Sequence, residues 1–331
     1  MGRYAVVGAT SWGTTLAWLL SSNGHDVALV TRSGDEARAV AERRGIARLP
    51  EVRLGAHVQV VEPERIPADL DGLVVAVPAQ RLRATLQRPE FSRGIPILSG
   101  AKGIEHESRL LMSEVLGQLG WDQELVSVVS GPNLAHEVGR GLPAATVVAS
   151  VSADGAERWQ RALSGGTFRA YRSDDVVGVE LGGALKNVVA IAAGAAAGLD
   201  MGANAVAAIM TRGLAEMTRL GVALGARAIT FQGLAGVGDL AATCYSPLSR
   251  NRRMGELLAR GMAPQEAIST IGEAVEGAAT TPVALDLARR AEVEMPIAEQ
   301  VAAVVAGRAT VREAMAELLQ RELKAEANLR D

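Results

Sequence analysis

Along the first half of this 331-residue chain, short β-branched runs alternate with helix-like segments; after about residue 174 no further strand-like run follows. The strand candidates are residues 4–7, 26–31, 58–61, 72–77, 95–99, 126–130, 144–150 and 167–171. Helical patterns over 12–22, 34–44, 80–87, 108–119 and 153–163 lie between them. Several strand runs, such as Leu73-Val74-Val75-Ala76-Val77, are apolar at every position, as strands covered on both faces are. This alternation predicts right-handed crossovers and a parallel sheet. The second half reads as helices over 176–197, 204–224, 250–260, 264–271, 281–292, 296–305 and 311–328, with turns at 233–238 and at Ser246-Pro247. The expected architecture is an α/β domain over 1–180 followed by an all-α domain over 181–331, with the break between 175 and 185.

With 48% apolar residues and 21% charged, the chain can bury a sizeable core. A net charge of −3 argues against a general nucleic-acid or membrane-surface binder, so an anionic ligand must be held by a local cluster. The apolar stretch 182–210 is broken by Lys186, Asn187, Asp200 and Asn204 and is rich in Ala and Gly, which predicts buried helices and not a membrane span. Cys244 is the single cysteine, which suits a reducing cytoplasm. The opening residues run straight into the first strand candidate, so no secretory leader is expected. No metal site is expected. Of 34 basic residues only Lys102, Lys186 and Lys324 are lysines. Lys102 and Lys186 lie in apolar, Gly-rich surroundings, where an amine can lose its proton and a guanidinium cannot.

The first strand candidate ends in Gly8-Ala9-Thr10-Ser11-Trp12-Gly13 and a helix follows. Strand, tight turn and helix N-terminus make the setting for a dinucleotide pyrophosphate. Gly8 and Gly13 hold the first and third positions of the G-x-G-x-x-G fingerprint, and Thr10 holds the second. Thr10 leaves three options: the pyrophosphate sits further out, the hydroxyl bonds to it, or nucleotide binding is weakened. The second strand candidate ends in Val30-Thr31-Arg32-Ser33, with no acid until Asp35. Arg32 can pair with a 2′-phosphate, which favours NADP(H) and leaves NAD(H) possible.

Three further stretches carry chemistry. Ser99-Gly100-Ala101-Lys102-Gly103 lies at the end of an apolar strand, the edge where open sheets bind ligands. In Gly182-Gly183-Ala184-Leu185-Lys186-Asn187, Lys186 shares a helix face with Ala190 and Ala193, whose size is expected to leave room for a ligand. Desolvation there predicts a pKa lowered toward neutrality, as a proton donor and acceptor requires. Gly236-Val237-Gly238-Asp239 precedes Ser249-Arg250-Asn251-Arg252-Arg253, a helix start suited to phosphate.

Together with Ser130-Gly131-Pro132, Thr211-Arg212-Gly213 and Val275-Glu276-Gly277, these stretches resemble the bacterial NAD(P)-dependent glycerol-3-phosphate dehydrogenases over nearly the whole chain. The resemblance implies a Rossmann domain, an all-helical second domain, and reversible reduction of dihydroxyacetone phosphate to sn-glycerol 3-phosphate for glycerophospholipid synthesis. It implies Lys186 as proton donor/acceptor. It implies substrate contacts from Lys102, Gly131, Asn133, Asp239, Ser249, Arg250 and Asn251. It implies cofactor contacts from Gly8, Thr10, Ser11, Trp12, Gly13, Arg32, Ala135, Ala274 and Glu276, with Lys102 and Arg250 near both ligands. The apolar helical half is expected to form a homodimer. The sequence departs from the family at Thr10, at Asn133, where Thr or Ser is usual, and at Pro247. These departures leave open a paralogous reductase of another small anionic 2-oxo or 2-hydroxy substrate, or a non-catalytic NADP(H) sensor.

Overall fold

The structure, a computed structural model, describes residues 1–322. All eight expected strands form: β1 Arg3–Val7, β2 Asp26–Val30, β3 Val58–Val61, β4 Gly72–Val75, β5 Ile97–Ser99, β6 Val126–Ser130, β7 Ala144–Ser150 and β8 Phe168–Ser173. They make one sheet in the order β3-β2-β1-β4-β5-β6-β7-β8. From β1 the chain first winds outward to β3 and then returns to β4 on the other side. The carboxyl ends of β1 and β4 therefore flank a crevice, the switch point where such sheets bind ligands.

The sheet is not wholly parallel as the alternation predicted. β7 runs antiparallel to β6, and β8 is parallel to β7. The link from β6 to β7 holds only a five-residue helix, Ala135–Gly139, which is too short to carry the chain back across the sheet.

The other helices of this half are α1 Ser11–Ser22, α2 Gly34–Arg43, α3 Ala79–Leu86, α4 Met112–Gln118 and α6 Ala153–Leu163, with Ala135–Gly139 as α5. Alternate residues of β1 and β4 face opposite cores. Val6 and Val74 pack with Leu16, Leu20 and Trp159, while Val7 and Val75 pack with Leu82, Leu86 and Val115. Burial on both faces explains why these strands lack a polar alternation. α4 begins later than its apolar pattern suggested. Ile104 and Leu111 form an antiparallel bridge, and Arg109 turns the chain between them at φ +64°.

The second half holds α7 Val176–Gly198, α8 Gly202–Ala223, α9 Ala228–Phe231, α10 Asp239–Tyr245, α11 Arg250–Ala259, α12 Pro264–Ile271, α13 Glu276–Arg290, α14 Pro296–Val305 and α15 Val311–Leu319. The expected helix over 311–328 ends at Leu319; its residues beyond 322, Lys324 among them, lie outside the described residues. The change from strands to helices falls at Asp174–Asp175, ahead of the expected 180/181 division, which would cut α7.

α7 is the axis of this half. Its length and mean hydropathy of 1.6 would let it cross a membrane, but every residue from Gly178 to Ala196 is buried inside the protein. α8, α10, α11 and α13 pack around it. Gly255 of α11 lets that helix close on α7: a Cβ there would lie 2.0 Å from Ile191 O. Ala190 and Ala193, expected to leave space beside Lys186, are instead packed into the helical core, so their small size serves helix contact. α13 starts at Glu276, ahead of the expected 281. The Asn251 side chain accepts the Gly277 N–H at 2.9 Å, which supports a first turn that Pro282 alone would not suggest.

Candidate active site

β1 ends in a turn that only small residues can make. Gly8 has φ +107°, and a Cβ on Gly13 would fall 2.0 Å from Gly8 O. Thr10 is the N-cap of α1: its hydroxyl accepts the Gly13 N–H at 3.0 Å and donates to Ala76 O at 2.7 Å. That hydroxyl is therefore turned into the protein, and it ties the turn to β4. The N–H groups of Ser11 and Trp12 find no acceptor among the described residues. The buried Trp12 Nε1 beside Gly100 also lacks a partner among the described residues. These free donors at a helix N-terminus fit a dinucleotide pyrophosphate. Arg32 follows β2 and is exposed, with Glu36 as its ion-pair partner at 3.4 Å.

At the carboxyl edge of β5 and β6 the two halves meet around one carboxylate. Asp239, first residue of α10, is 2% exposed at its side chain. Lys102 Nζ, from the loop after β5, donates to Asp239 Oδ2 at 2.6 Å and to Gly131 O at 3.1 Å. Lys186 Nζ, from the middle of α7, donates to Asp239 Oδ1 and to Thr243 Oγ1, the latter at 2.7 Å. Ser130 Oγ lies 3.4 Å from Asp239 Oδ2. A glycine at 183 is needed here, because a Cβ would sit 2.5 Å from Ser130 Oγ and 3.6 Å from Lys102 Cδ.

The electrostatics follow from burial and this sharing. Burial pushes the Lys186 amine down to about 7; Asp239 opposes the shift and Lys102 adds to it. Burial alone would raise the Asp239 carboxyl, but the two ammonium groups outweigh it and hold it below its ordinary value. Cys244 is buried and its thiol is pushed up to about 12, so it is inert near neutral pH.

The helix start expected at Ser249 is present. Ser249 caps α11, accepting the Arg252 N–H at 3.2 Å. Asn251 is buried, donating to Asn187 Oδ1 at 2.8 Å and accepting from Gly277, so it joins α7, α11 and α13. Arg250 is 41% exposed and reaches Glu273 at 3.4 Å. Glu276 accepts the Ala79 N–H at 3.3 Å, and burial raises its carboxyl pKa. Ala274 is exposed in the loop before α13, Ala135 opens α5, and the Asn133 amide pairs with Thr146 Oγ1 at 2.8 Å.

Two family models match this chain, the N-terminus and the C-terminus of NAD-dependent glycerol-3-phosphate dehydrogenase, over residues 3–156 and 175–316. The chain belongs to the NAD-dependent glycerol-3-phosphate dehydrogenase family. A glycerol-3-phosphate dehydrogenase (NAD(P)+) of Nocardia farcinica is 46% identical over 98% of this chain and 100% of its own length. Its counterpart in Moorella thermoacetica is 43% identical over 96% of this chain and 95% of its own. The crystal structure of glycerol-3-phosphate dehydrogenase from Coxiella burnetii superposes with a TM-score of 0.90 at 36% identity, covering 97% of this chain and 99% of that one.

Against this dehydrogenase family background, five residues at the site were not singled out in the sequence. Thr243 lies four residues after Asp239 on α10, a one-turn spacing that could have flagged it. Asn187 was read only as part of a motif. Ser130, Arg48 and Glu273 reach the site through tertiary contacts that no local pattern announces. The segment 233–238, expected as a turn, is a π-helical turn, Leu234–Gly238, that runs directly into α10 and delivers Asp239.

Proposed function

We propose that this chain is an NAD(P)-dependent sn-glycerol-3-phosphate dehydrogenase with Lys186 as its proton donor and acceptor. The observation that carries the reading is a buried amine with a pKa of about 7, bound to a carboxylate shared with a second lysine at the ligand-binding edge of the sheet. When bound, the nicotinamide supplies or takes a hydride at C2 of the substrate. Lys186 Nζ gives a proton to the C2 oxygen in reduction and takes it back in oxidation. Asp239 holds the amine in place and steadies its charged form. Lys102 faces both ligands. Ser249, Arg250 and the first turn of α11 take the substrate phosphate, with Asn251 offering its remaining N–H and Gly131 and Asn133 closing the substrate side.

The N–H groups of Ser11 and Trp12 hold the pyrophosphate at the turn that Gly8, Thr10 and Gly13 shape, and Ala135, Ala274, Glu276 and Arg250 complete the cofactor side. Arg32, placed just after β2 with Glu36 as its ion-pair partner, favours NADP(H) and leaves NAD(H) possible. The substrate is a small phosphorylated molecule. In this reading the enzyme works in the cytoplasm as a homodimer and supplies glycerol phosphate for lipid synthesis; family membership and the single buried cysteine support that setting. The test is NADPH oxidation with dihydroxyacetone phosphate. Turnover that yields glycerol 3-phosphate is expected, and binding of NADPH without turnover would reject the reading.

A further inference from the structure

Arg48 lies in the loop after α2, yet its guanidinium returns to the Gly-rich turn. Nη2 donates to Ala9 O at 2.8 Å and Nε lies 3.3 Å from Ser11 Oγ. Nη1 makes no hydrogen bond among the described residues. Glu273 stands 3.8 Å from Arg48 Nε, and the same carboxylate oxygen is 3.4 Å from Arg250 Nη1. One carboxylate thus serves two guanidinium groups, which leaves one net positive charge beside the free N–H groups of Ser11 and Trp12. An ion pair at 3.8 Å between half-exposed groups contributes little to stability. The closer contacts of Arg48 are with the turn itself.

Resting on the dinucleotide reading above, we propose that Arg48 is a further cofactor-binding residue that holds the pyrophosphate at the Gly-rich turn. Thr10 gives the reason for a cation here. Its hydroxyl occupies the Gly13 N–H, so one donor of the first helical turn is withdrawn from the ligand. Arg48 returns donors at the same place, with a full charge and a planar fork suited to phosphate. Position separates its role from that of Arg32. Arg48 sits on the first βα turn, where the pyrophosphate binds, while Arg32 follows β2, where the adenosine ribose lies. Loss of Arg48 therefore weakens every cofactor that has a pyrophosphate, with or without a 2′-phosphate.

The test compares Arg48→Gln, Arg48→Lys and Arg32→Ala by equilibrium titration with NADPH, NADH, ADP-ribose and adenosine, with no substrate present. Arg48→Gln is expected to weaken NADPH, NADH and ADP-ribose alike, on the order of tenfold, and to leave adenosine unchanged. Arg48→Lys is expected to recover part of the loss, and Arg32→Ala to weaken NADPH alone. Unchanged affinities in Arg48→Gln would overturn the proposal. Loss confined to NADPH would overturn it too, by moving Arg48 to the 2′-phosphate. Weakened adenosine binding would overturn it by showing a damaged turn. A wild-type enzyme that binds none of the dinucleotides would instead sink the cofactor reading itself.

Discussion

Lys186 is held in α7 with its charge at a disadvantage. A fall from 10.5 to about 7 corresponds to about 5 kcal/mol against the ammonium form. The folded pKa lies below the unfolded one, so this cost is absent well above both values and is fully felt as pH falls through about 7. Lys186→Met is therefore expected to unfold at an equal or higher temperature than wild type near pH 6, while turnover falls about 10²–10⁴-fold and NADPH binding persists. Near-normal turnover would exclude Lys186 as the proton donor. In wild type, reduction should slow and oxidation should quicken as pH rises past about 7, and the Met variant should lose both limbs. Lys102 and Lys186 stood out in the sequence because the chain uses Arg almost everywhere else. Asp239, Ser249 and Arg250 entered through the resemblance. Arg48 was not, since an arginine in a polar loop carries no local mark of the turn it returns to, and Thr10 was read without the Ala76 carbonyl that orients its hydroxyl.

The helices show a second use of buried carboxyl groups. Glu216 of α8 accepts the N–H groups of Ile297 at 2.8 Å and Ala298 at 3.3 Å, capping α14 from a neighbouring helix. Glu180 of α7 does the same for α4, accepting the Ser113 N–H at 3.0 Å. Burial pushes each carboxyl up to about 7. A raised folded pKa gives stability that is complete below the unfolded value and is lost as pH rises through about 7. Glu216→Gln keeps an acceptor and removes the titration. Relative to this variant, wild type should lose about 1–3 kcal/mol between about pH 5 and about pH 8 in denaturant melts. A constant difference would refute the assignment. Strands and long helices were legible from apolar periodicity. The reversed direction of β7 was not, because it depends on how far α5 can carry the chain. The early start of α13 was not either, because its cap comes from Asn251 of α11.

At the scale of the whole molecule, the two halves are joined by more than the short link before α7. Val179 of α7 and Ala235 pack with Val128 of β6 and Ala149 of β7 in a shared apolar cluster. Asp175 caps α7 and also accepts the Arg227 N–H at 3.0 Å, fixing the start of the helical half. Calorimetry should therefore show one cooperative unfolding transition, shifted upward by bound dinucleotide. Two separated transitions would mean that the halves are thermodynamically independent. The bridge from Lys102 to Asp239 to Lys186 also spans this joint, since Lys102 belongs to the sheet and the other two to the helices. The same carboxylate thus registers how the halves are docked: a small slip between them would alter the proton affinity of Lys186 before it loosened the fold. Selection for turnover in such an enzyme is at the same time selection for the alignment of its two halves.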